Sequence, residues 1–100
     1  MQVECEAKGV YSLGRCENIS ETGMFVRTPE TFELSTAVLV RFALPPPIAV
    51  TVDAKGTVVR VRSGESMAIH FVELKDRYRV AITDFVEQAS KEAKPLPSGG

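Results

Sequence analysis

The chain has no tryptophan, one histidine (His70) and two cysteines, Cys5 and Cys16. A lone histidine without any Cys-x-x-Cys pair leaves no ligand set for a structural zinc site. No nucleophile or carboxylate pair stands at a spacing that would join His70 in a catalytic constellation, so an enzyme is the class least expected, and no resident cofactor or metal is implied. The two thiols read as small buried side chains. A hairpin turning at residues 9 to 12 would set them roughly opposite each other, although a disulfide is not expected in a reducing compartment.

Long apolar runs are missing as well. No stretch approaches the ~18 residues that a membrane span needs, and the first nine residues carry Glu4, Glu6 and Lys8 where a secretory leader would have its apolar segment. The expectation is a cytoplasmic protein without a membrane partner. Neither sign of charge is in excess: 12 Lys and Arg against 13 Asp and Glu give a formal net charge of -1. That balance argues against a nucleic-acid partner and makes any anion site a local one.

What is present suits one small domain with a single core, 100 residues at 44% hydrophobic and 25% charged. Val3, Cys5 and Ala7 alternate with Gln2, Glu4, Glu6 and Lys8, the period of a half-buried strand. Val10 to Cys16 reads as a weaker second strand, and Met24 to Thr28 as a short third one stopped by Pro29. Ala37 to Leu44 is a fourth, with Val38, Val40, Phe42 and Leu44 on one side. Pro45-Pro46-Pro47 ends it, because these residues lack the N–H that a ladder needs.

From Ile48 an extended run reaches Arg62, with its phase slipping near Gly56 as a bulge would cause. Met67 to Val72 follows after a turn at Ser63 to Ser66. Pairing Arg60 with His70 and Val61 with Ile69 would put Val59, Val61, Ile69 and Phe71 on the core side and Arg60, Arg62 and His70 outside, as a local cationic patch.

Tyr78, Ile82, Phe85, Val86, Ala89 and Ala93 then recur at helical spacing, with Asp76 as a candidate N-cap and a polar face of Arg77, Arg79, Thr83, Asp84, Glu87 and Lys91. Residues 1–93 are thus expected to form the domain, and residues 94–100 a disordered tail. Five or six strands followed by one amphipathic helix make a small antiparallel barrel, mainly β, with the helix beside it or across an open end. Five of the seven aromatics (Phe25, Phe42, Phe71, Tyr78, Phe85) fall at apolar positions of these patterns. They are not expected to form the stacking platform of an oligonucleotide-binding barrel.

One polar stretch stands out, Asn18-Ile19-Ser20-Glu21-Thr22-Gly23, leading into Met24-Phe25-Val26-Arg27. As chemistry alone it is a turn whose Asn and Ser hydrogen-bond locally or to a ligand, and whose Gly23 permits a positive φ or a close backbone approach. Asn18-Ile19-Ser20 also fits the N-glycosylation acceptor, which matters only in a secreted protein.

Together with Val38 to Pro45, Gly56 to Val61, Met67 to Leu74 and the helix, this hexapeptide resembles the PilZ domain family, the bacterial receptors for cyclic di-GMP. The likeness covers about residues 2 to 90. It implies a six-stranded barrel with a C-terminal helix that binds the dinucleotide on its outside, between a (D/N)xSxxG motif and an upstream RxxxR motif. Asn18 would then contact a guanine edge, Ser20 would hydrogen-bond the ligand and Gly23 would shape the loop. Arg60 lies where many relatives carry a tryptophan near the base, and its guanidinium can stack on a purine and attract phosphate.

No Arg-x-x-x-Arg occurs in the chain, and upstream of Asn18 the only basic residues are Lys8 and Arg15. Two missing charge-assisted hydrogen bonds of ~1.5–3 kcal/mol each would weaken binding by ~3–6 kcal/mol, roughly a hundred- to ten-thousandfold. Arg15, Arg60, Arg62 and His70 are the cations available as substitutes. The resemblance implies a signalling or adaptor module with cyclic di-GMP as ligand and a protein partner. The alternative is a ligand-independent protein-interaction domain of the same fold, using its helix or the Pro45 to Pro47 edge.

Overall fold

A computed structural model describes residues 1–92 of the chain, with side chains through Ala89. Six strands, β1 (Gln2–Ala7), β2 (Val10–Ile19), β3 (Gly23–Arg27), β4 (Ala37–Ala43), β5 (Thr51–Arg62) and β6 (Ser66–Glu73), precede one helix, α1 (Asp76–Glu92). The strands close into an antiparallel barrel in the order β1-β2-β3-β6-β5-β4, as the strand-then-helix pattern implied. Ala93 and the tail expected at 94–100 lie outside the described residues.

Period-2 alternation decides which side chains face inward. Val3, Cys5, Val26, Val40, Val52 and Val58 are at most 2% exposed, and Phe42, Met67 and Ile69 pack with them. A lumen filled in this way has no room for a ligand, so binding chemistry has to be on the outer surface. Strands β1 and β2 turn through Lys8 and Gly9, both at positive φ (52° and 79°), the two-residue type I′ geometry that matches strand twist. This tight turn pairs Cys5 with Ser12 and Gln2 with Arg15. The cysteines are therefore not opposite each other: Cys5 is in the core, Cys16 is half-buried, and both are free thiols.

Two bulges set the register of β5 on β6. Val58 pairs with Ile69 and Arg60 with Ala68, leaving Val59 as the extra residue. The expected pairing of Arg60 with His70 is therefore wrong: His70 lies opposite Thr57, and Val61 opposite Met67. Consequently Val58 enters the core and Val59 is 54% exposed. The inward phase runs unbroken from Val52 through Gly56 to Val58 and slips only afterwards. The other bulge falls opposite Lys55/Gly56, where Val72 of β6 is left unpaired.

Strand β5 begins at Thr51 rather than Ile48, because the Leu44 N–H donates to the Val50 carbonyl at 2.8 Å and closes the proline loop first. Helix α1 closes the barrel end that also carries Met1, the β2–β3 loop and the proline connection. Ala81 and Ile82 are buried there, and Tyr78 and Phe85 pack against the core. Val86 (36% exposed) and Ala89 lie outside this contact, so only the first half of the expected apolar stripe is used. The Lys75 carbonyl accepts from the N–H groups of Tyr78 and Arg79, which makes Lys75 the cap and places Asp76 inside the first turn.

Candidate functional site

The polar hexapeptide spans the end of β2, a tight loop and the start of β3. Ser20 N–H donates to the Gly23 carbonyl at 2.9 Å, while the Ser20 hydroxyl accepts from the Thr22 N–H at 3.2 Å and shares a hydrogen bond with the Thr22 hydroxyl at 2.9 Å. This is a serine turn, self-satisfied and exposed. Gly23 uses the second of its two permitted roles. Its φ is not positive, but a Cβ at this position would collide with the Ile69 carbonyl of β6, so only glycine lets β3 approach that closely. Two further contacts hold the loop: Phe71 N–H donates to the Thr22 carbonyl at 2.8 Å, and the Thr83 hydroxyl of α1 donates to Glu21 Oε2 at 3.2 Å.

Cross-strand pairing brings the expected site residues onto one outer face. Asn18 lies opposite Phe25, Phe25 opposite Ala68, and Ala68 opposite Arg60. At ~4.8 Å per strand, Asn18 and Arg60 stand about 14 Å apart along the sheet, at the two ends of one row. The adjacent row on the motif side holds Gly23, His70 and Thr57. The row on the other side holds Arg15, Arg27, Ser66 and Arg62. Arg15 is thus on the same face but two strands away from Ser66.

A cleft of about 330 Å³ opens at the Arg60 end, lined by Phe25, Arg27, Arg60, Arg62, Glu65 and Ser66, among others. Arg27 is held there by a bidentate contact with Glu17, at 2.9 and 3.2 Å, which raises its pKa still further. Glu17 is the extra residue of the β2 bulge, and its position relieves the repulsion between the facing Arg15 and Arg27. Phe25 falls at an apolar position of the sequence pattern. It is half-buried on the outer surface, because Met24 and Val26 take the inward phase. The alternation of Met24 and Val26 was the available signal for this, and the importance of Arg27 and Ser66 had none.

On the opposite outer face a groove of about 650 Å³ is lined by Glu4, Glu6, Tyr11, Leu39, Arg41 and Lys55, among others. Its two strand cations are matched across strands, Arg41 to Asp53 at 2.7 Å and Lys55 to Glu73 at 3.2 Å, and Lys75 lines the groove beside them.

A closed barrel with a filled lumen, carrying a glycine-tightened polar loop and Arg15, Arg27, Arg60 and Arg62 on one outer face, belongs with the barrels whose binding chemistry is outside and not in the lumen. The chain matches the family model of the PilZ domain over residues 1–88, and it belongs to the PilZ family of cyclic di-GMP receptor and adaptor domains. This is a family of binding domains and not of catalysts. No curated protein and no solved structure gave a significant match. Among the described residues no helix is long and apolar enough to cross a membrane.

Proposed function

We propose that this domain is a cytoplasmic cyclic di-GMP-responsive adaptor, binding the dinucleotide across the outer face of β2, β3, β6 and β5 and passing the bound state to a protein partner. The observation that carries this reading is the single row Asn18–Phe25–Ala68–Arg60, which puts a hydrogen-bonding amide at one end and a planar cation at the other. Asn18 reads a guanine edge, Ser20 and the Gly23 turn hold the ligand backbone, Arg60 stacks on the second base and Arg15 adds positive potential nearby. The domain's partners are the nucleotide and a protein, without nucleic acid or membrane.

A second reading, a ligand-independent interaction domain, is favoured by the Ser20 hydroxyl being occupied within its own turn. Calorimetric titration with cyclic di-GMP separates the two. Saturable heat that disappears in the Asn18→Ala/Ser20→Ala variant supports the receptor reading. Absence of heat and of NMR shift changes at high ligand concentration supports the interaction domain.

A further inference from the structure

We infer that the cleft beside the β5–β6 turn is a second anchoring point for a nucleotide, in which a planar base lies between Phe25 and Arg60 and a phosphate is taken by Arg62 over Ser66. The inference builds on the receptor reading and adds a part that the polar motif does not contain.

Three features support it. The first is charge: Arg60 and Arg62 project from the same outer side of β5 two residues apart, and among the described residues neither forms an ion pair. Two like charges at this spacing repel, and an arriving phosphate relieves that repulsion. Arg27, by contrast, is already engaged by Glu17 and serves as a wall of the cleft.

The second feature is shape. The cleft is concave, about 330 Å³, and has Phe25 on one side, the only aromatic ring among its lining residues. An aromatic ring facing a guanidinium across such a volume suits a flat base.

The third is bracing. The hairpin turn is tied to β3 and its continuation by the Thr28 N–H donating to the Glu65 carbonyl at 2.9 Å, and by the Gly64 N–H donating to the Thr31 hydroxyl at 3.0 Å. The cleft wall is therefore held in place before a ligand arrives, which lowers the ordering cost of binding. Glu65 also lines the cleft and opposes a phosphate, giving the site a built-in limit on affinity.

The test is a set of titrations with two probes, cyclic di-GMP followed by calorimetry and guanosine monophosphate followed by amide shifts of Phe25, Arg60 and Ser66. The variants are Arg62→Gln, Glu65→Gln and Asn18→Ala/Ser20→Ala. The expected result is cyclic di-GMP binding weakened about tenfold or more by Arg62→Gln, with a shallower salt dependence, and tightened a few-fold by Glu65→Gln. If cyclic di-GMP binds and the motif variant abolishes it while Arg62→Gln and Glu65→Gln change nothing, the inference is overturned and the receptor reading stands. If cyclic di-GMP does not bind but the monophosphate shifts the cleft amides in an Arg62-dependent way, the inference stands and the receptor reading falls. Silence with both probes overturns both.

Discussion

The two outer faces of the barrel are built from the same kinds of side chain and differ in how these are matched. Across β1, β4, β5 and β6 each strand pair sets a base against an acid: Glu4 faces Arg41, Arg41 faces Asp53, and Lys55 faces Glu73. Across β2, β3, β6 and β5 a base faces a base or a small neutral residue: Arg15 faces Arg27, Ser66 lies between Arg27 and Arg62, and Ala68 faces Arg60. Glu17, brought in by a bulge, pairs with Arg27 and Glu65 adds to that effect, while Arg15, Arg60 and Arg62 form no ion pair among the described residues. The first face satisfies itself, whereas the second retains positive charge that an anion can use. An overall charge of -1 thus coexists with a cationic face.

The comparison can be broken most severely at Gly23. Gly23→Val would drive a side chain into the Ile69 carbonyl and pry β3 from β6. The expected loss is about 3 kcal/mol, or more than about 10 °C in Tm, measured by thermal circular dichroism. Next come two matched core truncations, Val40→Ala beneath the self-paired face and Val58→Ala beneath the cationic one. Both residues are packed, at 2% and 0% exposure, and each variant should lose about 2 kcal/mol in urea unfolding. Equal losses would establish that the faces differ in surface chemistry and not in the strength of the wall behind them.

A smaller effect is expected from pH. Burial, with Glu4 adding to it, pushes the Cys5 thiol up to about 12, and burial pushes Cys16 to about 11. The unfolded thiols ionise near pH 9 while the folded ones stay protonated. Their contribution to stability is therefore complete below about pH 9 and declines as pH rises toward 11 to 12. Replacing both cysteines by alanine should flatten the alkaline arm of a Tm-against-pH curve. Smallest of all is Arg41→Gln on the self-paired face. Its exposed pair with Asp53 should leave Tm unmoved and cyclic di-GMP titration unchanged. A clear loss of binding in that variant would move the ligand to the wrong face.

Alternation made most of the barrel legible. The inward residues of β1, β4 and β6 are those that their period of two demands, and the helical spacing after Asp76 marks α1. The motif residues Asn18, Ser20 and Gly23 could be singled out because their chemistry is unlike that of the strands around them. The side on which each neighbour lies was harder to read. One extra residue at Val59 inverts the phase of a strand, and nothing in a run of valines announces which will be the extra one. The same limit hid the outward position of Phe25, a residue whose apolarity suits either a core or a ligand cleft. The offset of Cys5 from Cys16 follows from a turn centred two residues earlier than expected, at Lys8 and Gly9 with their positive φ, which moves the partner of Cys5 from Cys16 to Ser12.

Closure of the barrel has a consequence for recognition. With β1 paired to both β2 and β4, and every other strand likewise flanked, the sheet has no free edge at which an incoming chain could add as a seventh strand. A protein that binds this domain must read side chains, and edge-to-edge growth of one copy onto the next has no place to begin.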